Sequence, residues 1–107
     1  MHRNVRCILL HRDLPFNGGV AKSFLNFARY RDRKCIEMWV GSFVAPSTEM
    51  VEMLYEVGVK TFSLGDHGYI KPAKKLITAI TKYGIDVVVC ASFKSYLAAK
   101  MATVETK

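Results

Sequence analysis

Two adjacent glycines, Gly18 and Gly19, lie between a β-branched run and a segment with helical periodicity. Glycine has no Cβ, so a ligand can approach the backbone closely at such a pair. The first N–H groups of the helix that follows have no intrahelical partner, which suits a phosphate or a carboxylate. The pair therefore indicates an anion site. A tight structural corner from strand to helix is the alternative.

The sequence around these glycines excludes three common nucleotide or phosphate sites. A dinucleotide fingerprint needs G-x-G-x-x-G and an acid after strand two, whereas Val20 follows the glycines and strand two ends without an acid. Segment 19–23 (GVAKS) resembles only the last residues of the P-loop pattern G-x-x-x-x-G-K-[ST]. Asp13 and Asp66 occupy positions of a receiver-type phosphoacceptor site, but the companion acids are absent.

The metal-ligating residue types are scattered. The cysteines are odd in number and form no C-x-x-C pair, and neither they nor the histidines have zinc-ligand spacing. These residues are Cys7, Cys35, Cys90, His2, His11 and His67. We therefore expect no metal site, and a reduced, cytoplasmic chain without disulfides.

Length and composition set the scale of the molecule. A chain of 107 residues, 50% of them hydrophobic, is sufficient for one domain spanning 1–107. The formal net charge of +7 favours acidic partners without naming one. The apolar stretch 7–10 is too short for a signal sequence or a membrane span.

Short β-branched runs alternate with helical periodicity four times, which is typical of a parallel α/β sheet. The predicted strands are 5–10, 35–43, 60–64 and 85–91. Helix one should bury Val20, Phe24, Phe27 and Ala28. Helix two should begin at 46–47, end at Gly58, and bury Met50, Val51, Met53, Leu54 and Val57. Helix three should run from Pro72 to a Gly84 cap and bury Ala73, Leu76, Ile77 and Ile80, and Ser92 should cap a last helix.

The expected fold is a Rossmann-like parallel sheet in strand order 3-2-1-4, with helices on both faces. In such sheets the ligand crevice lies at the carboxyl ends of the strands where strand order reverses, here between strands one and four. The loops 15–20 and 91–94 should therefore meet in one crevice. Arg12, just after strand one, is either a phosphate contact or an ordinary surface arginine.

Strand four would be the edge of this sheet. Its run Val87–Cys90 is apolar without alternation, which is typical of a strand covered on both sides, and its only charge is Asp86 at the entrance. We therefore expect the domain to be half of a larger fold. Either further strands of a longer protein or a partner chain would cover strand four.

Three segments resemble the N-terminal domain of a retaining group 1 glycosyltransferase of the two-Rossmann (GT-B) type. They are 14–21 (LPFNGGVA), 54–64 (LYEVGVKTFSL) and 83–89 (YGIDVVV), the last followed by Ser92 and Ala98–Ala99. Together they extend over almost the whole chain in the family's order. The resemblance implies transfer of a sugar from a nucleotide-sugar donor, which is a substrate; no cofactor is implied.

The resemblance also implies site residues. Asn17, Gly18 and Gly19 would face the donor diphosphate, and the acceptor-side candidates are His67, Ser92, Phe93 and Lys94. The family often places two histidines after strand four where this chain has Val89 and Ala91, so no catalytic residue is assigned. The family's donor-binding domain has no counterpart in 1–107, and the chain by itself should not transfer sugar.

The leading hypothesis is an acceptor-side glycosyltransferase domain that needs a C-terminal Rossmann domain, in the same protein or in a partner chain. The alternative is a non-catalytic binding or assembly module that docks a partner through the strand-four edge.

Four lysines of helix three are either a solvated face or a contact to an acidic membrane surface. They are Lys71, Lys74, Lys75 and Lys82. No specific nucleic-acid site is predicted. Donor, sugar, acceptor and oligomeric state do not follow from the sequence.

Overall fold

The computed structural model describes residues 4–13, 18–65, 68, 70–91 and 100. The elements alternate as predicted. They are strand β1 (Val5–His11), helix α1 (Gly19–Tyr30), strand β2 (Ile36–Ser42), helix α2 (Thr48–Glu56), strand β3 (Lys60–Ser63), helix α3 (Ile70–Tyr83) and strand β4 (Val87–Cys90). The helix predicted after Ser92 lies outside the described residues.

The four strands form one sheet in the order β3-β2-β1-β4. All three pairings are parallel: β1 pairs with β2 from Val5 opposite Ile36, and with β4 from Cys7 opposite Val87. β2 pairs with β3 from Trp39 opposite Lys60. The predicted strand order and Rossmann-like class are confirmed.

Alternate residues of β1 build two cores, one on each face of the sheet. Cys7 and Leu9 pack with α1 and α2, whereas Ile8 and Leu10 pack on the α3 side. A strand buried on both faces needs apolar residues throughout, which explains the unbroken run Cys7–Leu10. The prediction of helices on both faces is confirmed.

Local signals place the helix ends. The Ser47 hydroxyl accepts the Met50 N–H at 3.2 Å and caps α2. Gly84, at φ +62°, follows α3 in the left-handed conformation that glycine adopts freely. Helix α3 begins at Ile70, two residues before the predicted start, because the first turn of a helix needs no intrahelical N–H donor and tolerates Pro72.

One predicted core position is wrong, and several others are only partly buried. Phe27 is 45% exposed, because α1 buries a face made by Ala21, Phe24, Leu25 and Ala28. The half-buried positions are Val20, Val51, Met53, Val57, Ile77 and Ile80, and Cys90 is half-buried as well. Cys90 is on the edge strand, where one side of the strand has no described neighbour. Trp39 is also half-buried, and its ring stacks on Tyr83 with centroids 4.9 Å apart.

Arg6 ties three elements together at the start of the sheet. Its Nε donates to Glu37 Oε2 at 2.9 Å, and its Nη1 donates to the Tyr83 carbonyl at 3.0 Å at the end of α3. Its backbone N–H donates to Asp86 Oδ2 at 2.9 Å. The single charge at the entrance of β4 therefore joins β4 to β1.

Among the described residues, no helix is both long and apolar enough to cross a membrane.

Candidate functional site

The candidate site lies at the carboxyl ends of β1 and β4, where strand order reverses. The Ala91 N–H donates to the Leu10 carbonyl at 2.9 Å, so the exit of β4 is held beside the exit of β1. The loops after these two strands therefore start next to each other, as the sequence predicted. Of the second loop, Ser92, Phe93 and Lys94 lie outside the described residues.

The exit of β1 is also tied to the loop after β2. The Arg12 carbonyl accepts the N–H groups of Phe43 and Val44, each at 3.0 Å. The buried Ser42 hydroxyl donates to the Val44 carbonyl at 2.6 Å. These bonds fix the backbone of Arg12, while its side chain is exposed. The position remains compatible with either a phosphate contact or a surface arginine.

The glycine pair leads directly into α1. Gly18 is the N-cap with φ −77° and ψ 145°, an extended conformation that any residue can adopt. Gly19 is the first helical residue, and its φ is not positive. A tight corner therefore does not require glycine for its backbone conformation here.

The space around Gly19 is open. A Cβ placed on Gly19 would meet no heavy atom of the described residues within 4 Å. The first turn of α1 holds no acidic side chain to occupy its N–H groups. An anion can approach these donors along an unobstructed backbone, and the helix dipole favours negative charge there. Asn17, the third predicted donor-facing residue, lies outside the described residues.

His11 is a site residue that the sequence analysis missed. It is the last residue of β1, two positions after Leu9 and therefore on the α1 side of the sheet. Its Nε2 lies 3.8 Å from Asp13 Oδ1, and its side chain is 18% exposed. Its Nδ1 is buried and has no hydrogen-bond partner among the described residues. A buried polar atom without a partner is costly, so His11 has spare hydrogen-bonding capacity at the carboxyl end of β1.

The position of His11 in the sequence was an available signal. A polar residue at the end of a buried parallel strand lies at the carboxyl end of the sheet, where such sheets bind ligands. From the sequence, His11 was considered only as a metal ligand. Within the described part of the chain, no cluster of three or more His, Cys, Asp or Glu side chains could hold a metal ion.

The remaining candidates, His67 and the lysines of α3, belong to other segments of the chain. His67 lies outside the described residues, between Gly65 and Gly68, which both have positive φ. It follows β3, and β2 separates β3 from β1. The lysines of α3 are exposed, and Lys82 Nζ lies 5.4 Å from the Tyr83 ring centroid. The helix has no acidic residue, so this face is purely cationic.

All three cysteines are free thiols. Burial raises the pKa of the Cys7 thiol, and the positive charge of Arg31 partly opposes this. A hydrogen bond to the Asp32 carboxylate, together with its negative charge, raises the pKa of the exposed Cys35. Neither thiol is activated as a nucleophile, because both environments favour the neutral form.

Comparison with known proteins gives one structural match. A glycosyltransferase from Rickettsia africae ESF-5 has a similar structure, with a TM-score of 0.74 and 19% sequence identity over 96% of this chain. The match covers 28% of that protein, so this chain corresponds to a fraction of its length. No protein-family model matches the sequence, and neither does any curated protein. The likeness shows a glycosyltransferase-like fold.

Proposed function

We propose that this chain is the acceptor-side N-terminal domain of a retaining two-Rossmann glycosyltransferase. The observation that carries the proposal is the free space in front of Gly19, at the start of α1, as far as the described residues show. This position lies where the strand order of the sheet reverses, and the fold is glycosyltransferase-like. The substrate would be a nucleotide-sugar donor, and a sugar would pass to an acceptor bound on this domain.

In this proposal the backbone binds the donor diphosphate. Gly18 and Gly19 would let the phosphate oxygens reach the N–H groups of the first turn of α1, since no described side chain lies within 4 Å of a Cβ placed on Gly19. His11 would offer its unpartnered Nδ1 to a ligand hydroxyl or phosphate oxygen in the same crevice. Asn17 would face the phosphates, and His67, Ser92, Phe93 and Lys94 would shape the acceptor side.

The chain would contribute only one wall of the donor cleft. The structurally similar glycosyltransferase is much longer than this chain, and we propose a second Rossmann domain as the other wall, in the same protein or in a partner chain. A ligand held by one wall loses most of its burial. The chain alone would therefore bind sugar nucleotides weakly and not transfer sugar. A cytoplasmic location with peripheral contact to acidic lipids through the α3 lysines completes the proposal.

The first test is a titration of the 107-residue chain with uridine and guanosine diphosphate sugars, followed by NMR amide shifts. We expect millimolar binding at best, with the largest shifts at residues 18–20, and no product in a steady-state assay. Replacing Gly19 with valine should abolish these shifts, because its side chain would occupy the open space in front of the helix. The variant should still fold, since no neighbour within 4 Å must move.

Lys74→Ala, on the exposed face of α3, is the control and should keep the binding. Unchanged shifts in Gly19→Val would mean that the glycine pair is only a structural connection. Product formation by the chain alone would contradict the need for a second domain.

The second candidate function is a non-catalytic assembly module. It is favoured by one observation: Val87 and Val89 on the edge strand are 46% and 44% exposed. A module of this kind should bind a protein partner through β4 and show no sugar-nucleotide shifts at residues 18–20. The same titration therefore separates the two candidates.

A further inference from the structure

A second cationic feature lies at the opposite end of the sheet from the glycine pair. Strand β2 begins at Ile36, but its pairing with β3 begins only at Trp39 opposite Lys60. The first three residues of β2 therefore have no partner on the β3 side. A cavity of about 340 Å³ lies beside them, lined in part by Arg31, Arg33, Gly58 and Lys60.

Arg31 forms a fixed wall of this cavity. It donates hydrogen bonds to the carbonyls of Ala28, Ile36 (3.1 Å) and Val57 (3.2 Å). These carbonyls belong to the end of α1, the start of β2 and the end of α2. The guanidinium is held in place by three elements before any ligand arrives, and its partners are neutral, so they leave its positive charge uncompensated.

Arg33 brings a second guanidinium to the same place. A Cβ placed on Gly58 would lie 3.4 Å from Arg33 Nη2 and 3.5 Å from Arg31 Nη2. The two cations therefore meet over a residue that has no side chain and whose φ is +82°. Burial lowers the pKa of Arg31, and the nearby Arg33 cation lowers it further, which agrees with this closeness.

The cavity has little negative charge of its own. Glu37 lines it, but its carboxylate pairs with Arg6 Nε at 2.9 Å. The Asp32 carboxylate accepts the Lys34 N–H and the Cys35 thiol. Within the described ranges, neither Arg33 nor Lys60 forms an ion pair with an acid. Two guanidiniums and one ammonium group thus surround a small open space without a bound counter-charge.

We propose that this cavity binds a phosphate-bearing anion, at a site separate from the proposed donor cleft. The Arg33 guanidinium can match phosphate oxygens with paired hydrogen bonds, and lysine adds a point charge. Arg31 would donate from its Nη2, since its Nε and Nη1 already bind carbonyls. The cavity is at the lower end of the size range of small-ligand sites, which suits a diphosphate or a phosphorylated headgroup. Gly58 has no side chain that would compete with the anion for the two guanidiniums.

The test uses the 107-residue chain and inorganic pyrophosphate, measured by calorimetry and NMR. We expect saturable binding that shifts the amides of residues 31–38 and 58–60. Arg33→Gln and Lys60→Gln should each raise the dissociation constant about tenfold, the usual effect of one lost charged hydrogen bond. Arg29→Gln and Lys74→Gln are charge-matched controls on other surfaces, and they should change it less than twofold. All four variants replace exposed side chains, and their melting temperatures verify folding.

Vesicles containing phosphatidic acid distinguish the source of the phosphate. Binding to these vesicles that depends on Arg33, without binding of pyrophosphate, would identify a lipid headgroup. Binding of pyrophosphate alone would identify a soluble ligand. Binding of neither, equal weakening of pyrophosphate binding by the control variants, or equal weakening of vesicle binding by Arg29→Gln would overturn the proposal, because the cations would then act only through the net charge of the chain.

Discussion

At the scale of single residues, Cys7 links burial to pH-dependent stability. Its thiol is 6% exposed, and burial raises its pKa above the ordinary value of 9.0. Above about pH 9 the unfolded chain releases this proton and the folded chain keeps it. The unfolded state is then favoured, so stability is complete below about pH 9 and falls as pH rises toward the raised pKa.

Between about pH 8 and pH 10, we expect the unfolding free energy of Cys7→Ala to decrease less than that of the parent chain, because the variant has no thiol to titrate at position 7. Urea unfolding at both ends of this range measures the effect. The control is Cys35→Ala, whose thiol is exposed and screened by solvent, so its pH dependence should stay close to that of the parent chain. An equal slope in parent and Cys7→Ala would show that the buried thiol does not contribute.

At the scale of elements, Gly41 governs how β2 and β3 fit together. It lies opposite Phe62 in the parallel pairing, and a Cβ on Gly41 would lie 2.7 Å from Phe62 Cζ and 3.1 Å from Leu10 Cδ1. The Phe62 ring thus occupies the place of the missing side chain. A glycine inside a strand weakens it locally, but here it makes room for an aromatic ring.

Gly41→Ala should destabilise the fold by about 1 to 3 kcal/mol, because the added methyl group overpacks the core. Combining it with Phe62→Leu should recover part of this loss, since the shorter side chain frees the space. Urea unfolding of the single and double variants tests the coupling. Gly19→Ala, where nothing lies within 4 Å, is the matched control and should be nearly neutral. Equal effects of the two alanines would contradict the packing argument.

At the scale of the whole molecule, the edge strand β4 leaves an apolar strip uncovered. Val87 and Val89 lie beside Cys7 and Leu9 on the α1 side of the sheet, where both are more than two-fifths exposed. Edge strands without charges tend to pair with other strands. Both candidate functions place another element against β4, either further strands of a longer protein or a partner chain.

We expect the isolated chain to self-associate at high concentration through this strip. The double variant Val87→Lys, Val89→Lys should suppress this self-association, measured by sedimentation velocity. Its unfolding free energy should change by no more than about 0.5 kcal/mol, as for other exposed sites. The control is Tyr55→Lys, which removes an exposed aromatic ring from α2. If it suppressed association equally, or if the β4 variant did not, the edge strand would not be the contact.

The alternation of strands and helices and the polar face of α3 could be predicted from the sequence. Each depends on short-range patterns: β-branched runs, the Ser47 cap, the Gly84 terminator and the spacing of apolar residues. The strand order followed from the general rule for doubly wound parallel sheets. Three features could not be predicted: the burial of the His11 Nδ1, the Phe62 ring over Gly41, and the two guanidiniums over Gly58. They depend on how elements are placed against one another, and local propensity carries no information about those distances.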